Sequence, residues 1–440
     1  MKIDTKKYIE CGEKKGLDPY LLNYENETET SVSVMDGKVS NQTIGSSAAV
    51  SGTALLNGRV GTFRTDAVDD DAPQLLADSI YESAPYGRER SAETFYPGGK
   101  EYQPADINDP GFREASLTEL RDLSFRIYEK AKSIDPRVTH AEAGVGYDKG
   151  HSEISSSKGF EAEEDEAVYS GYVSIIVEED GEPRSGWKIF HSFEGIEDLE
   201  SKTDKAVDEA FHDAADFLHS PQIASGSYKA VLARNVFAFL LETTLSHLSA
   251  KRVHKHLSIF EGKKGEQILS PALTIDHTPH VRSTGSTSFD RDGVPTCDFP
   301  VIENGVLMNY FYSYESALEE GVEANGCGTG NGNDGPFVLS VKPGEKTLDQ
   351  LFEEMGDGIY ITDISGMNAG IDDQTLNFSL PCQGYVVKDG KKDSAFSMVL
   401  IAGNLKDLFQ NVLDLSDETK YISSSFVPYA LVGSIAVSGN

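Results

Sequence analysis

Five of the ten histidines fall within a stretch of 34 residues, and this stretch is the first candidate for metal chemistry. They are His247, His254, His256, His277 and His280. Imidazole nitrogens bind zinc, and Glu242 and Asp276 could add carboxylate oxygens. However, none of these histidines lie four residues apart, as two ligands on one helix face would, and His254 and His256 would point apart on a helix. Packed histidines are therefore the default, and a metal site built from His247, His254, His256 or His277 is the alternative.

Two glycine- or aspartate-rich segments match binding loops only in part. Gly330, Gly332 and Gly335 fit the G-x-G-x-x-G pattern, but a strand-like segment follows them. Phosphate binding would need a helix N-terminus directly after the glycines. The segment Asp290-Arg-Asp292-Gly293 lacks the spacing and the closing glutamate of a calcium-binding EF-hand loop. Neither segment predicts a nucleotide or calcium site.

The elements that would carry these residues are both strands and helices. Asn-Gly or Asp-Gly pairs between apolar or β-branched runs predict hairpins at Asp36-Gly37, Asn57-Gly58, Asp180-Gly181, Asn304-Gly305 and Asp389-Gly390. Capping boxes predict helices that begin after Ser116 and Thr347. Helical spacing of apolar residues covers 73–83, 203–218, 233–250 and 404–413. The sequence thus predicts an α+β protein rich in antiparallel sheet.

The N-terminal half contains an internal repeat of element order. Strands, a two-residue turn, another strand and a helix follow one another in 30–83 and again in 151–218. A polar connector from Pro85 to Pro110 separates the two, and a second boundary falls near Ser220-Pro221. We expect duplicated N-terminal units and a β-rich C-terminal domain, with limits at 1–110, 111–221 and 222–440.

Composition excludes several functional classes. The chain has 39 Lys and Arg against 72 Asp and Glu, a net charge of −33 that disfavours nucleic acids and anionic membranes as partners. No apolar run approaches the ~18 residues of a membrane span, and the first residues lack the apolar core of a signal peptide. The four cysteines are widely spaced, unlike a disulfide framework or a zinc ribbon. A cytoplasmic protein is expected.

Several motifs together resemble the TldD/PmbA family, whose members are described as modulators of DNA gyrase and as metalloproteases. They include Asp290, Asp292 and Gly293 in the segment 288–296, Gly370, and Asn377 with Ser379. Further matches lie in 260–267, 301–306, 384–390 and 401–405, and the N-terminal hairpin and helix block also resembles the family's first domain. The resemblance therefore covers nearly the whole chain and implies a PmbA/TldD-like fold.

The resemblance also implies which residues should bind zinc. Active members carry H-E-x-x-x-H on the helix that opens the C-terminal domain, and a cysteine near the C-terminus completes the site. In this chain Leu241 and Ser246 stand at the two histidine positions, and Glu242 stands at the position of the general base. The C-terminal stretch 421–425 contains no cysteine. This pattern is similar to the PmbA branch, also called TldE, and implies no zinc and no catalytic residue in this chain.

We therefore expect a non-catalytic subunit that pairs with a TldD-like zinc protease, or forms a homodimer when that partner is absent. The complex would hydrolyse unfolded peptides, with zinc only in the partner. Two alternatives stay open: an active metallohydrolase that uses the displaced histidines, and a stand-alone peptide-binding protein.

Overall fold

The computed structural model describes residues 3–105, 107 and 112–440, which divide into two units. The first unit contains the chain up to Leu218 together with two later segments, Thr287–Thr296 and Leu318–Asn331. The second contains His219–Ser286, Cys297–Ala317 and Gly332–Asn440. The proposed boundary between residues 110 and 111 lies outside the described residues, and the limits 1–110, 111–221 and 222–440 stay a prediction.

One antiparallel sheet forms the framework of the first unit. Its strand order is β3-β2-β1-β4-β5-β6, with β1 at Tyr20–Met35, β2 at Lys38–Leu56, β3 at Arg59–Thr65, β4 at Val138–Ser156, β5 at Glu161–Glu179 and β6 at Glu182–Ser192. At each of the predicted turns Asp36-Gly37, Asn57-Gly58 and Asp180-Gly181 both residues have positive φ. Asn, Asp and Gly tolerate this conformation, which matches the twist of the flanking strands, so these hairpin predictions are confirmed.

Helices flank each group of three strands. They are α1 at Thr5–Glu13, α2 at Ala72–Ser83, α3 at Leu117–Ser133 and α4 at Ile196–Ala215. The predicted capping box opens α3: the Ser116 hydroxyl accepts the Glu119 N–H, and the Glu119 carboxylate accepts the Ser116 N–H. Helix α4 begins earlier than the predicted residue 203, because Gly195 at φ 125° lets the chain turn into a helix whose first turn carries Glu197 and Asp198.

The two groups are repeats with the same order: helix, three strands, helix. Lys38 and Glu161, which begin β2 and β5, are 123 residues apart. Strands β1 and β4 pair antiparallel with Glu27 opposite Gly150, and these two residues are also 123 apart. Equivalent positions therefore meet at the middle of the sheet, as a local two-fold axis requires. The predicted duplication is confirmed in the fold.

A separate hydrophobic cluster lies under each half of this sheet. Under β1 and β2 it includes Tyr20 and Tyr24, with Leu76 and Ile80 from α2. Under β4 and β5 the cluster is formed with residues of α3 and α4 and includes Tyr169, which is fully buried. Each half of the sheet therefore has its own hydrophobic core.

Strands dominate the chain after Leu218. The helices and strands are, in order, β7 Gly226–Leu232, α5 Arg234–Leu245, α6 Ala250–His254, β8 Ile275–His277, β9 Phe299–Glu303, β10 Val306–Leu307, α7 Tyr314–Glu320, β11 Gly328–Gly330, β12 Asn333–Asp334, β13 Leu339–Val341, α8 Leu348–Met355, β14 Gly358–Ile364, β15 Asn377–Lys388, β16 Lys391–Asn404, α9 Leu405–Gln410, β17 Val412–Leu415, β18 Lys420–Ile422, β19 Ser425–Val427 and β20 Ala430–Ser438. Helix α9 is shorter than the predicted 404–413, because β17 follows and pairs with β20.

Two six-stranded sheets build the second unit. Their orders are β10-β9-β8-β13-β19-β18 and β16-β15-β14-β7-β20-β17. In the second sheet β16 pairs with both β15 and β20, which closes five strands into a ring. The turns Asn304-Gly305 and Asp389-Gly390 again have positive φ at both residues. The α+β class with a β-rich C-terminal part is therefore confirmed. In the described part of the chain, no helix is both long and apolar enough to cross a membrane.

The hydroxyl of Tyr169 gives a test of the core of the second repeat. It accepts a hydrogen bond from the Ala115 N–H and donates one to the Arg113 carbonyl, both at 2.7 Å. We expect Tyr169→Phe to lower the free energy of unfolding by about 1–3 kcal/mol, because the buried Ala115 N–H loses its acceptor. Urea denaturation measures the effect, with Tyr86→Phe, at a tyrosine 91% exposed, as the control. Equal stability of the two variants would contradict this account.

Candidate functional site

The segment aligned with the family's zinc-binding helix is α5 and the turn that follows it. Leu241 is completely buried within the helix. Ser246 follows its last residue, and the Ser246 hydroxyl donates to the Thr243 carbonyl at 2.7 Å. The predicted continuous helix over 233–250 is wrong: α5 ends at Leu245, a 3-10 turn covers Ser246–Leu248, and α6 starts anew. The Ser249 side chain accepts the Arg252 N–H at the start of α6, and such capping residues begin helices.

Glu242 connects α5 to the C-terminal stretch of the chain. Its Oε1 accepts the Ser424 N–H at 3.1 Å and the Ser425 hydroxyl at 2.7 Å. The structure thus brings together the helix and the stretch 421–425, the two places from which the family's ligands would come. The Glu242 carboxylate is occupied as an acceptor of two hydrogen bonds that hold the turn between β18 and β19 against α5.

The donor atoms at these positions do not fit a zinc ion. Leu241 offers only carbon atoms, and the Ser246 hydroxyl is engaged with a backbone carbonyl. The stretch Tyr421-Ile-Ser-Ser-Ser supplies no thiol or imidazole. Zinc sites in proteins use thiolate, imidazole and carboxylate ligands, of which only Glu242 is present here.

His247 is held by hydrogen bonds on both ring nitrogens. Its Nδ1 accepts the Ile259 N–H at 3.3 Å, which leaves the proton on Nε2 for donation to the Asp373 carbonyl at 2.9 Å. Burial, and then the nearby Arg252 guanidinium, lower the pKa of His247. It is therefore a neutral histidine that joins three segments of the second unit.

The other histidines of the alternative site lie in different surroundings. His277 is buried among aromatic rings, and its Nδ1 donates to the Cys297 carbonyl at 3.0 Å while its Nε2 accepts the Phe337 N–H at 3.2 Å. His254 ends α6, and His256 is exposed, with its Nδ1 2.8 Å from a Glu261 oxygen. Across residues 3–105, 107 and 112–440, no three His, Cys, Asp or Glu side chains group as metal ligands would.

Asp290, from the family motif, organises a loop of the first unit. Its Oδ1 accepts the N–H groups of Asp292 and Val294, both at 2.9 Å, and its Oδ2 accepts the Gly328 N–H at 2.8 Å. Burial, with the charge of Asp292 second, raises the pKa of Asp290. Gly293 has φ 84° and completes this turn. The carboxylate therefore fastens two distant chain segments together.

The remaining motif residues fix a loop of the second unit. A Cβ at Gly370 would lie 2.7 Å from the Ser379 carbonyl oxygen, a backbone atom that cannot move aside as a side chain can, so glycine is favoured there. The Ser379 N–H donates to the Gly370 carbonyl at 2.8 Å, and the Asn377 side chain accepts from Asn404 Nδ2 at 3.0 Å. These contacts give the motif a structural role in the loop between β14 and β15.

A polar cavity in the first unit was not predicted. Its volume is about 290 Å³, and its charged lining residues are Glu25, Arg64, Arg90, Arg291 and Asp292. The glycine-rich segment contributes Gly330 and Asn331 to the wall. The arginines come from β3, from the segment after α2 and from the loop at 291, so no local sequence pattern could indicate that they converge.

His277 predicts a pH dependence of stability. Burial lowers the pKa of His277 to about 4, whereas an unfolded histidine titrates near ~6.5. The unfolded chain therefore takes up the proton first, so stability is lost as the pH falls below ~6.5 towards 4. We expect His277→Asn to be less stable than the wild type at pH 7.5, with a difference that shrinks by about 2 kcal/mol at pH 5.

Urea denaturation at the two pH values measures this difference, and His256→Asn is the exposed control. A difference between wild type and His277→Asn that stays constant with pH would show that His277 does not contribute to the acid sensitivity.

Family profiles match two parts of the chain. The profile described as the PmbA/TldA metallopeptidase C-terminal domain matches residues 225–439, and that of the PmbA/TldA metallopeptidase central domain matches residues 110–212. An uncharacterized protein of Methanocaldococcus jannaschii is 25% identical over 432 residues, covering 97% of this chain and 98% of that protein. The metalloprotease PmbA of Escherichia coli O157:H7 is 24% identical over 426 residues, covering 94% and 90%.

Solved structures agree with these matches. A Thermotoga maritima protein described as a candidate modulator of a DNA gyrase superimposes with a TM-score of 0.88 at 28% identity, covering 99% of both chains. TldE from Thermococcus kodakarensis superimposes with a TM-score of 0.82, covering 99% of this chain and 100% of that one, and at 18% identity this likeness concerns the fold alone. The chain belongs to the PmbA/TldD metallopeptidase family.

Proposed function

We propose that this chain is a PmbA/TldE-like subunit of a TldD/PmbA-type peptide-hydrolysing complex, and that it binds no zinc and performs no catalysis itself. The observation that carries this proposal is the chemistry at the aligned ligand positions. Leu241 is packed in the core, and the Ser246 hydroxyl is bonded to the Thr243 carbonyl. A catalytic zinc normally keeps three protein ligands and one water, and these positions supply none of the three.

The partner would be a TldD-like chain that carries the zinc. Support comes from the relatives, which include proteins named PmbA and proteins named TldD, such as the metalloprotease TldD homolog of Buchnera aphidicola at 26% identity. A homodimer would form when that partner is absent. The substrate would be an unfolded peptide, bound in extended form by pairing with a strand edge.

The role of Glu242 in such a complex would be structural. A general base must lie within hydrogen-bond reach of the water that it deprotonates. In this chain the Glu242 carboxylate instead accepts from Ser424 and Ser425 and fixes the turn after β18. This connection shapes the region where the family's active members place their metal.

A cytoplasmic location belongs to the same proposal. None of Cys11, Cys297, Cys327 and Cys382 forms a disulfide in the described part of the chain, which suits a reducing compartment. The net charge of −33 also argues against a nucleic-acid partner.

Purification with and without a TldD-like zinc subunit from the same organism tests the proposed role. The chain alone should hold no zinc above background after dialysis and should not cleave an unstructured, fluorescence-quenched peptide. The two chains together should co-elute and cleave it. Zinc-dependent cleavage by the chain alone would favour the displaced-histidine hydrolase, and failure to co-elute with the TldD-like chain would favour the stand-alone peptide-binding protein.

Glu242→Gln tests the structural role of the carboxylate. The complex should keep its peptide-cleaving activity within about twofold, because no metal-bound water depends on Glu242. Stability should fall by about 1 kcal/mol, since the amide oxygen still accepts a hydrogen bond but the charge that strengthened both bonds is gone. The matched control is Glu261→Gln. Loss of activity by two orders of magnitude, with the complex intact, would assign a catalytic role to Glu242.

A further inference from the structure

The outer edge of β6, which is the edge that faces away from β5, ends the sheet of the first unit. Strand β6 is last in the strand order and pairs with β5. The turn Asp180-Gly181, with positive φ at both residues, closes this hairpin on a hydrogen-bonded pair. Hydrogen-bonded and non-hydrogen-bonded pairs alternate along antiparallel strands. The backbone N–H and carbonyl groups of Ser185, Trp187 and Ile189 therefore point away from β5.

Two neighbouring residues agree with this direction. Pro183 stands at an outward position, where its lack of an N–H removes no bond to β5. His191 is also outward, and its carbonyl accepts a hydrogen bond from Lys202 Nζ at 2.9 Å. In the described part of the chain, no group outside the sheet bonds to the backbone of the three outward residues between them.

The equivalent edge in the first repeat is closed. Val60 and Thr62 of β3 lie 123 residues before the first two outward positions of β6. The Val60 N–H donates to the Arg88 carbonyl at 3.0 Å, and the Thr62 N–H donates to the Ser83 hydroxyl at 3.2 Å. The Ser83 hydroxyl also donates to the Thr62 carbonyl at 3.2 Å. One repeat thus satisfies its outer edge from within, whereas the other leaves its outer edge available.

The side chains at the outer edge of β6 are apolar. Trp187 is 63% exposed and Ile189 is 54% exposed. Lys188, between them, forms an ion pair with Asp213 of α4, so Trp187 and Ile189 lie on the face of the sheet opposite α4. An exposed hydrophobic edge strand pairs readily with a strand of another chain, and proteins usually cover or charge such edges. This edge therefore has the character of an interface.

The charges on β6 indicate that the other strand is a second β6. Two identical antiparallel strands are related by a two-fold axis, and the position of the axis decides which charges meet. With Ser185 opposite Ser185 of the partner subunit, Glu182 lies opposite Lys188 of the partner subunit, and the converse pair forms as well. An axis at residue 186 would place Arg184 opposite the partner's Lys188, and an axis at residue 188 would oppose two ammonium groups. Opposite charges across strands stabilise a pair and like charges destabilise it, so β6 complements a copy of itself.

The apolar contacts agree with the same register. It places Trp187 opposite the partner's Pro183, so the indole gains an apolar neighbour and both rings lose exposure to water. The chain already contains one pairing of this kind, since the equivalent strands β1 and β4 meet antiparallel about a local two-fold axis. The net charge of −33 repels two copies at low ionic strength, and salt weakens this repulsion.

We propose that the outer edge of β6 pairs antiparallel with the same edge of a second copy of this chain, with Ser185 opposite Ser185 of the partner subunit, and so joins two six-stranded sheets into one. This inference rests on the homodimer that the proposed function includes, and it names the surface that forms it.

The single tryptophan of the chain makes the pairing measurable. Trp187 is the only tryptophan among the 440 residues, and it is largely exposed in one copy. Light scattering of the wild-type chain over a series of concentrations, at ~0.15 M salt, should show an equilibrium of monomer and dimer. The fluorescence emission of Trp187 should shift to shorter wavelengths with the same midpoint, because the interface shields the indole from water.

Two charge reversals test the register. Glu182→Lys and Lys188→Glu should each weaken dimerisation at least about tenfold, since each places like charges opposite one another twice in the dimer. An equimolar mixture of the two variants should dimerise again, because each lysine then faces a glutamate of the other chain. The matched control is Glu89→Lys, an exposed glutamate beside the closed edge of β3, which should dimerise as the wild type does. Thermal unfolding checks that each variant is folded.

Three outcomes would overturn the proposal. A dimer whose formation leaves the Trp187 emission unchanged would use another surface, and this result would leave the homodimer itself intact. A mixture of the two charge variants that dimerises no better than either variant alone would exclude this register. A chain that stays monomeric at every concentration would contradict both the pairing and the homodimer, even if a TldD-like zinc subunit shifted the Trp187 emission. Zinc content and co-elution decide the subunit role independently of all three.

Discussion

The antiparallel pairing of β1 with β4 is the constraint on which the first unit depends. Each repeat alone would be a three-stranded sheet with one helix-covered face, in which β1 or β4 would be an unpaired edge strand. Pairing from Leu21 opposite Ser156 to Met35 opposite Glu142 removes both of these edges and joins the repeats into one sheet. The register of these long strands is fixed by the same pairing. A slip by one residue would move every buried side chain of a strand to the opposite face of the sheet. The same sheet sets the position of the polar cavity, because β1, β2 and β3 form part of its wall.

In the second unit, one carboxylate connects two segments that lie far apart in the sequence. Glu242 reaches from α5 to Ser424 and Ser425, so a helix and a C-terminal hairpin that are 182 residues apart are fixed against each other. Two hydrogen bonds to a carboxylate make this connection between α5 and the C-terminal hairpin. Leu241, which is completely buried, adds apolar packing to the same region. Hydrogen bonds and apolar packing therefore hold these two segments of the fold together.

Local signals in the sequence predicted local structure well. The five two-residue turns were predictable because positive φ at both positions is a property of the turn residues themselves. The end of α5 was missed because apolar spacing continues through Leu248, while the Ser249 cap begins a new helix. The surroundings of His247 could not be predicted, since its partners at Ile259 and Asp373 come from distant segments. The same holds for the polar cavity, whose charged residues are brought together only by the tertiary fold. Resemblance to the family predicted the fold. The side-chain contacts could not be predicted in this way, because they join residues that are distant in the sequence.

The two late segments of the first unit have a consequence for biosynthesis. Arg291 and Gly328 belong to that unit, yet the ribosome adds them more than sixty residues after Leu218. The hydrogen bond from Gly328 to Asp290 and one wall of the polar cavity therefore cannot form while only the N-terminal half has emerged. Domains that are continuous in sequence can complete folding in the order of translation. The first unit can complete its folding only after the downstream segments have been synthesised. A nascent or truncated chain that ends near Leu218 therefore exposes to chaperones and proteases the surface that these segments would cover.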